Sequence, residues 1–343
     1  MTQDANQLDL PAVERWLSEH LPGFQGPVRA EKFDVGQSNP TYRLTTPTHR
    51  YVLRRKPPGV LLKSAHAVER EFRVQKALAG TDVPVAKMHV LCEDDSVIGS
   101  PFYIMDEVPG RHFNLPDLPE LAIEDRRPIH LEMARVLAAI HGADLDATGL
   151  SDYGPTGNYY RRQIDRWIKQ YRASETDRID AMEELIPWLD TNIPADDGRR
   201  TLAHGDYRID NMLFEKERPR IAAVLDWELS TIGHPFADVA AVIMQWNMPA
   251  GPDGRGLAGL DRDAQGLMSD AEFIETYCRH ADIPGIEGFG FYQAFTLFRM
   301  AGIIQGVYKR ALDGNASNPE RALKMGELVP RFAKAGLDAA RTV

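Results

Sequence analysis

The stretch 204-HGDYRIDNMLF-214, followed by 221-IAAVLDWE-228, decides the fold of this chain. Asp206 and Asn211 belong to one short loop, while Asp226 ends a separate apolar run. Short apolar runs rich in β-branched or aromatic residues predict strands, so each of these polar side chains lies where a strand begins or ends. Groups from two such elements can converge on one point. The stretch therefore predicts a polar site built from loops at strand ends.

Two carboxylates and one amide in this order suit a hard divalent cation. Mg²⁺ takes oxygen ligands from one or two protein side chains and leaves its remaining positions to water and phosphate. In phosphoryl transfer of the kinase type, a loop Asp serves the accepting hydroxyl, an Asn holds metal, and a second Asp binds the metal that bridges the phosphates. Asp206, Asn211 and Asp226 occur in that order. The alternative is that they are turn residues and a helix cap, as Asp and Asn often are.

Composition narrows the classes of protein that this chain can be. Its 343 residues exceed the usual size of one hydrophobic core, so two lobes are expected. The hydrophobic share of 43% and the charged share of 26% are typical of a globular protein. The formal net charge of -10 argues against nucleic-acid and anionic membrane partners. Two distant cysteines indicate neither a disulfide framework nor a zinc site.

The N-terminal residues do not have the pattern of a signal peptide. The N-terminal residues are acidic or amidic where a signal peptide has a basic start and an apolar run. No apolar stretch approaches the length of a transmembrane helix. We therefore expect a cytoplasmic protein.

The predicted secondary structure changes from strands to helices along the chain. Residues 31–109 consist of short β-branched or aromatic pieces, which predict antiparallel strands. One helix interrupts them, with Ser64 as N-cap and Gly80 as its stop. After about residue 121 the pattern is helical, and the Gly- and Asp-rich segment 248–270 predicts a long mobile loop. The fold class is therefore α+β, with lobes at 1–108 and 109–343.

The pattern H-G-D-x-x-x-x-N, followed by an Asp on the next strand, resembles the signature of the aminoglycoside phosphotransferase family. These are kinases related in fold to protein kinases, with a small antiparallel-sheet lobe and a larger helical lobe. The resemblance implies ATP and Mg²⁺ as cofactors and a small molecule with a hydroxyl as acceptor. It implies catalytic roles for Asp206, Asn211 and Asp226, of which Asn211 and Asp226 bind the metal.

The upstream half of that pattern is also present. By resemblance, the loop that covers the phosphates contains Gly36, Ser38 and Asn39. In the strand 50-RYVLRRK-56, Val52 would pack over adenine and Arg54 would take the position of the family's lysine. This is a departure from the family, which has Lys at that position. The two side chains are not equivalent, because Arg offers a planar fork of donors and Lys a single point charge. Lys56, one pleat later on the same face, is the alternative.

Two further segments complete the expected nucleotide site. Glu71 stands where the family's helix Glu pairs with the strand cation, and the apolar spacing of its helix turns position 71 toward the sheet and position 69 outward. The segment 102-FYIMDEVPG-110 resembles the connection between the lobes, whose backbone hydrogen-bonds adenine. Met105 would lie at the back of the pocket. The Asp106 carbonyl and the Val108 N–H would contact the base.

Three other polar residues have supporting or open roles. Asp238 matches a family aspartate that braces the catalytic loop. His141 ends a helix and is expected to satisfy a hydrogen bond in the core. Glu228 is either a further metal ligand or an acid near a helix start.

Four segments carry a narrower resemblance: 36-GQSNPTYRL-44, 51-YVLRRKPPG-59, 64-SAHAVEREFRV-74 and 305-QGVYKRALDGNAS-317. They resemble a subgroup of the family, the kinase-like region fused to some acyl-CoA dehydrogenases and its free-standing bacterial relatives. The resemblance implies a hydroxyacyl-CoA acceptor and, since the sequence stops at residue 343, no dehydrogenase domain. Aminoglycosides or choline-like alcohols are alternative acceptors. A pseudokinase or scaffold without turnover and a metal-dependent hydrolase are alternative functions. The oligomeric state stays open, with a homodimer as one option. Basic residues on helical segments are candidates for binding an anionic acceptor: Arg161, Arg162, Arg166, Arg299, Lys309 and Arg310.

Overall fold

The structure, a computed structural model, describes residues 8–33, 39–57, 67–316 and 318–343. By their contacts these residues fall into two compact units. Unit 1 comprises Met1–Phe113, Ala143–Leu150 and Asp210–Ser230, and unit 2 comprises Asn114–Gly142, Ser151–Ile209 and Thr231–Val343. The strands are β1 (Arg29–Lys32), β2 (Thr41–Thr45), β3 (Arg50–Arg55), β4 (Met88–Cys92), β5 (Phe102–Asp106), β6 (Arg111–His112), β7 (Thr201–Ala203), β8 (Met212–Phe214), β9 (Ile221–Val224) and β10 (Thr231–Gly233). The helices are α1 (Leu10–His20), α2 (Val68–Leu78), α3 (Ile123–His141), α4 (Tyr159–Ser174), α5 (Asp180–Thr191), α6 (Phe236–Trp246), α7 (Asp270–His280), α8 (Phe289–Leu312), α9 (Pro319–Met325) and α10 (Val329–Ala340).

Unit 1 is built on an antiparallel sheet of order β1-β2-β3-β5-β4. Side chains alternate between the two faces of each strand. On β5, Phe102 and Ile104 join a core with Val13 and Leu17 of α1. Tyr103, between them, joins a second core with Phe72 of α2. The sheet therefore carries α1 on one face and α2 on the other.

A smaller antiparallel sheet of order β6-β8-β9 belongs to the same unit. Met212 of β8 pairs with Val224 of β9, and the Leu225 N–H donates to the Asn211 carbonyl at 2.8 Å. Asn211 and Asp226 consequently flank the same end of this two-strand ladder.

Unit 2 is mainly helical. The long helix α8 packs against α4, α5, α6, α9 and α10. Phe295 and Phe298 of α8 are buried in its core. The short pair β7 and β10 runs antiparallel, with Leu202 opposite Ile232, and the loop that contains Asp206 follows β7 directly.

Several expected elements differ from those observed. The helix predicted near residues 64–80 covers Val68–Leu78 with Ala67 as N-cap, while Ser64 lies outside the described residues. The helical pattern after about residue 121 is interrupted near the end of the chain, where a 3₁₀ turn, Gly326–Leu328, separates α9 from α10. Pro330 stands in the first turn of α10, where no N–H donor is needed. In one continuous helix the same residue would lie in the interior and would lack a hydrogen bond, which explains why the helix is interrupted here.

The Gly- and Asp-rich segment 248–269 contains turns and isolated bridges rather than helix or strand. Three of its apolar side chains are buried, namely Leu257, Leu267 and Met268. These side chains anchor the segment in unit 2, a restraint that its composition did not indicate.

The contact-based units do not coincide with the lobes at 1–108 and 109–343. Unit 1 extends to Phe113 and also includes Asp210–Ser230, because β8 and β9 pair with β6. The division into functional lobes remains a prediction.

Candidate active site

One buried carboxylate fixes the loop that carries Asp206. Asp238, on α6 and 2% exposed, accepts hydrogen bonds from the backbone N–H groups of His204 at 2.7 Å and Gly205 at 3.0 Å. Gly205 has φ of 83°, a backbone conformation that favours glycine. Asp238 therefore occupies the bracing position expected for it.

A buried histidine completes this brace. His141 contacts the Asp238 carboxylate through Nε2 at 3.3 Å and the Tyr277 hydroxyl through Nδ1 at 2.8 Å. Burial raises the pKa of Asp238, but the hydrogen bonds and charge of His141 and the His204 backbone outweigh this and hold the pKa below its usual value. Asp238 is therefore an ionised acceptor for the loop, and His141 satisfies a core hydrogen bond.

Three residues of the loop, His204, Tyr207 and Ile209, are buried, whereas Asp206 is accessible. His204 is fully buried, and the Tyr207 hydroxyl donates to the Met133 carbonyl at 2.8 Å. The Asp206 side chain is 36% exposed and lies 3.4 Å from the Arg208 guanidinium. The loop thus presents one carboxylate to a molecule that approaches unit 2.

Unit 1 brings together three residues that are far apart in the sequence. The Arg54 guanidinium, 13% exposed, contacts the Glu71 carboxylate through Nε at 3.0 Å and donates from Nη2 to Asp226 Oδ1 at 2.7 Å. Burial lowers the pKa of Arg54, but the carboxylates of Glu71, Asp226 and Glu228 raise it above its usual value. The guanidinium therefore bridges α2 and the end of β9.

Lys56 has a different partner. Its ammonium group lies 2.9 Å from Glu69, whose side chain is 39% exposed. Glu71 is 1% exposed, so position 71 faces the sheet and position 69 faces outward, as the apolar spacing predicts. Of the two cations left open by the sequence, Arg54 is the one beside Asp226.

The Glu71 carboxylate is surrounded by donors. Asn39 Nδ2 donates to one oxygen at 2.9 Å and the Tyr103 hydroxyl donates to the other at 3.0 Å. Burial, aided by the nearby Asp226, raises the pKa of Glu71 to about 7 against the lowering effect of Arg54. The Asn39 side chain is thus engaged with α2, and its predicted contact with phosphate remains a prediction.

The donor set fits a magnesium ion. Carboxylate oxygens of Glu71, Asp226 and Glu228 lie within 4.8 Å of one another, and Asn211 flanks the same strand end as Asp226. Such oxygens are the ligands that Mg²⁺ prefers. Asp226 also has φ of 61°, an uncommon conformation for a residue other than glycine, and such conformations cluster at functional sites. Asn211 and Asp226 are the residues that would hold the metal.

The residues expected around adenine lie on the α2 face of the sheet. Val52 pairs with Met105 across β3 and β5, and Val52 is buried. Met105 and Val108 pack against the core that includes Phe72. The Asp106 N–H donates to the Lys87 carbonyl at 2.9 Å, which fixes the start of the connecting segment. Gly36 and Ser38 of the predicted phosphate loop lie outside the described residues.

A sequence profile of the Phosphotransferase enzyme family matches residues 29–287, which is most of the chain. The chain belongs to this family. The predicted relationship to the aminoglycoside phosphotransferases is therefore confirmed.

Known relatives of this family member include parts of longer proteins. Mouse acyl-CoA dehydrogenase family member 10 is 47% identical over 331 residues, which are 96% of this chain and 31% of the mouse protein. Human acyl-CoA dehydrogenase family member 11 is 38% identical over 341 residues, which are 98% of this chain and 44% of the human protein. The chain thus spans less than half the length of these relatives.

Solved structures of the family share the fold. A crystal structure from Ralstonia eutropha JMP134, provisionally named an aminoglycoside phosphotransferase, is 47% identical with a TM-score of 0.90 and covers 98% of this chain and 99% of its own. APH(4)-Ia, in a ternary complex with AMP-PNP and hygromycin B, has a TM-score of 0.61 at 19% identity and covers 96% of this chain and 98% of its own. The α+β, protein-kinase-like fold predicted from the sequence is confirmed.

Some features of this phosphotransferase were not predicted. The hydrogen bonds from Asn39 and Tyr103 to Glu71 were missed, because nothing in a sequence reports which donors surround a buried acid. The Arg54 contact with Asp226 joins residues 172 positions apart. The departure from lysine in the strand was the available signal, since the forked guanidinium can reach two acids where an ammonium group reaches one point. Among the described residues, no helix is long and apolar enough to cross a bilayer.

Proposed function

We propose that this phosphotransferase moves the γ-phosphoryl group of ATP to a hydroxyl of a small molecule. The observation that carries the proposal is the contact of Arg54 with both the buried Glu71 and the half-buried Asp226. It joins the strand, the helix and the metal-binding acid on which kinase-type phosphoryl transfer depends. A site of this kind works mainly by positioning groups and neutralising charge, because the phosphoryl group needs little covalent help.

Asp206 is the proposed catalytic base. Its carboxylate is accessible on a loop that Asp238 and Tyr207 hold in one conformation. A base must come within hydrogen-bond reach of the hydroxyl that it serves. Because the loop is already held in one conformation, little conformational freedom is lost when Asp206 takes up its position beside the acceptor. Asp206 would orient the acceptor hydroxyl and take its proton as the oxygen attacks the phosphorus.

Asn211 and Asp226 are the proposed metal ligands, and Arg54 is the proposed phosphate ligand. Bound Mg²⁺ would neutralise charge on the phosphate oxygens. Glu71 holds the Arg54 guanidinium at Nε, and the fork leaves further N–H groups for phosphate oxygens. Val52, Met105 and the backbone of Asp106 and Val108 would contact adenine. The lobes at 1–108 and 109–343 belong to the same proposal, as does a cytoplasmic location without nucleic-acid or membrane partners.

The acceptor that we favour is a hydroxyacyl-CoA. The names of the relatives support it, because proteins named as acyl-CoA dehydrogenase family members contain a region that is 38% to 47% identical to this chain. An anionic CoA ester calls for local positive charge on a chain of net charge -10. Arg166 and Arg299 are the strongest candidates, since both guanidinium groups lie over the Trp167 ring at 5.6 and 5.7 Å.

Three of the other basic candidates are already engaged. Arg161 pairs with Asp190, Lys309 pairs with Asp313, and Arg162 donates to the Thr156 carbonyl at 2.6 Å. Arg299→Met is therefore expected to raise the KM for an acyl-CoA acceptor and to leave the KM for ATP unchanged. Arg161→Met is the matched control, because its charge is paired on an exposed helix face.

An ADP-release screen tests the proposal. The purified chain, Mg²⁺ and ATP are combined with hydroxyacyl-CoAs, aminoglycosides, choline-like alcohols and sugars. We expect release above background with a hydroxyacyl-CoA, and loss of that release in Asp206→Ala with nucleotide binding retained. ADP release that survives Asp206→Ala would contradict the assignment of Asp206 as the base. ADP release only with another class of acceptor would contradict the proposed hydroxyacyl-CoA substrate.

The same screen separates the competing functions. A thermal shift with Mg·AMP-PNP but no ADP release on any acceptor would indicate a pseudokinase or scaffold. Phosphate release without an acceptor would indicate a hydrolase. The intact set Asp206, Asn211 and Asp226 supports turnover over both.

A further inference from the structure

Two histidines and an aspartate converge at one end of the large sheet of unit 1. Nε2 of His49 lies 2.9 Å from Asp106 Oδ1, and Nε2 of His89 lies 2.5 Å from the same oxygen. One ligand atom from each of the three side chains lies within 4.8 Å of the other two. The three groups come from the β2–β3 turn, from β4 and from the end of β5.

This cluster lies on the face of the sheet opposite Arg54. Side chains at 102, 104 and 106 of β5 share one face, and Phe102 and Ile104 belong to the α1 core. Tyr103 lies on the other face and donates to Glu71, the partner of Arg54. The side chains of the cluster therefore lie on the face opposite Arg54 and Glu71, although the Asp106 backbone belongs to the proposed adenine contact and all of these residues belong to unit 1.

An irregularity in β4 presents His89 to the cluster. The register between β4 and β5 shifts between Met88 and Val90. Met88 packs in the α2 core and Val90 against the α1 core, although residues two apart on a regular strand share a face. A bulge at His89 explains both facts, and bulges commonly re-aim a side chain.

The arrangement has the properties of a transition-metal site rather than a magnesium site. Two imidazole nitrogens and one carboxylate oxygen are typical ligands of Zn²⁺, which leaves a fourth position for water. Mg²⁺ prefers oxygen ligands alone. The Tyr51 ring packs against both imidazoles, with centroids 4.3 Å from His49 and 5.3 Å from His89, and thereby limits their rotation.

The ligand atoms are close to the spacing that such an ion requires. Ligands about 2.1 Å from a tetrahedral Zn²⁺ lie about 3.4 Å from one another. His49 and His89 would each retreat from Asp106 by less than about 1 Å, which a side-chain rotation provides. The His49 side chain is 44% exposed, so an ion can enter from solvent.

We propose that His49, His89 and Asp106 form a binding site for a divalent transition-metal ion of the Zn²⁺ class. The bound ion ties β4, β5 and the β2–β3 turn together at the start of the segment that contacts adenine in the proposed function. The site does not depend on that function, because its ligands lie on the other face of the sheet.

Metal titration of the full chain tests the site. The tag-free protein is stripped with a chelator and titrated with Zn²⁺ by calorimetry and with Co²⁺ by visible absorption, which reports a tetrahedral environment. We expect one equivalent of Zn²⁺ with a Kd tighter than about 10 μM. His89→Ala and Asp106→Ala should each weaken binding at least about 100-fold. Thermal unfolding without metal checks that each variant is folded. If His89→Ala does not fold, His49→Ala removes a ligand at a more exposed position and should weaken Zn²⁺ binding in the same way.

Two controls separate this site from other histidines and acids. His280→Ala removes an exposed imidazole at the end of α7, and Asp226→Asn removes the proposed Mg²⁺ ligand. Both should bind Zn²⁺ as tightly as the parent. A Kd weaker than about 1 mM for the parent, or binding that is lost in Asp226→Asn and kept in His49→Ala/His89→Ala, would overturn the proposal.

Discussion

Arg54 is the residue on which most of the candidate site in unit 1 depends. Its guanidinium, 13% exposed, lies between Glu71 and Asp226, and the buried Glu71 has additional donors in Asn39 and Tyr103. A buried charge is tolerated only where partners compensate for the water that it loses. Removal of one member therefore leaves the others uncompensated, and the effect on the free energy of unfolding should be large.

Arg54→Met tests this dependence. The substitution keeps an unbranched apolar stem but removes the cation from two acids, so we expect the free energy of unfolding to fall by about 3 kcal/mol. Lys56→Met, on the same strand face, breaks a partly exposed pair with Glu69 and should cost less than about 1 kcal/mol. Urea unfolding measures both changes. Equal effects of the two substitutions would show that Arg54 is not the buried partner of Glu71.

A double-mutant cycle assigns the effect to the pair. Because Glu71→Gln removes the buried negative charge, the loss caused by Arg54→Met should shrink in its presence, and the coupling should reach at least about 1 kcal/mol. The KM for ATP, measured in parallel, reports the proposed phosphate contact of Arg54. Additive free energies would contradict the pairing.

At the scale of residues, local features were easier to predict from the sequence than contacts between residues that are distant along the chain. The order Asp206, Asn211, Asp226 and the inward face of Glu71 were readable, because spacing along a loop and periodicity along a helix are local properties. The contact between Arg54 and Asp226 was not, since it depends on how two distant elements pack. His89 was not recognised either, because a bulge reverses the alternation from which facing is predicted.

At the scale of elements, α8 and α10 approach each other closely at a glycine. A Cβ atom at Gly290 would lie 2.5 Å from the Ala339 carbonyl oxygen and would also meet the Thr342 hydroxyl. Real Cβ atoms essentially never come so near to backbone, so one of the helices would have to move. The sequence did not indicate this contact, because helical periodicity predicts which face of a helix is apolar and not how closely two helices approach.

Gly290→Ala is therefore expected to destabilise unit 2. The strain should cost about 2 kcal/mol and should exceed the gain of less than about 1 kcal/mol that Ala brings to a helix. Gly285→Ala is the matched control, because a Cβ there meets nothing within 4 Å. Thermal unfolding should show a lower Tm for Gly290→Ala alone. The same Tm for both variants would mean that α8 and α10 pack less closely than described.

Another link between elements of unit 2 depends on pH. His130 of α3 is fully buried, with Nε2 2.8 Å from the Pro116 carbonyl and Nδ1 accepting from the Met268 N–H at 3.4 Å. Burial, aided by Arg262 and Arg127, lowers its pKa to about 4, against the smaller raising effect of the Pro116 carbonyl. The neutral ring satisfies both partners, whereas a proton on Nδ1 would face a donor.

The sign of the pH dependence follows from this shift. Between pH 6.5 and about 4 the unfolded chain binds a proton at His130 and the folded chain does not, so stability is complete above pH 6.5 and falls as the pH drops. The full shift corresponds to about 3 kcal/mol. His130→Gln should be less stable than the parent at pH 7.5, and the difference should shrink toward pH 4.5.

Unfolding in urea at several pH values measures the difference between parent and His130→Gln. His280→Gln, at an exposed position, should show no such trend. A difference between parent and His130→Gln that is constant from pH 7.5 to pH 4.5 would show that His130 titrates alike in the folded and unfolded chains.

At the scale of the whole molecule, the chain carries one natural probe in each unit. Cys92 lies in β4 of unit 1 and is 2% exposed, and Cys278 lies in α7 of unit 2 and is 5% exposed. Burial raises the pKa of both thiols. Since alkylation requires an accessible thiolate, each cysteine reacts only when its own surroundings open.

Alkylation of the two thiols therefore reports the stability of each unit separately. In native buffer both should react at least about 100 times more slowly than in urea. Most of the proposed nucleotide contacts, including Arg54 and Val52, belong to unit 1, so Mg·AMP-PNP at 100 times its Kd should slow the labelling of Cys92 up to about 100-fold further. Mass spectrometry of the alkylated peptides distinguishes the two sites, and Cys278→Ser checks that they react independently. Cys92 that labels in native buffer as fast as in urea would contradict its burial, while nucleotide protection confined to Cys278 would contradict the nucleotide contacts that we propose in unit 1.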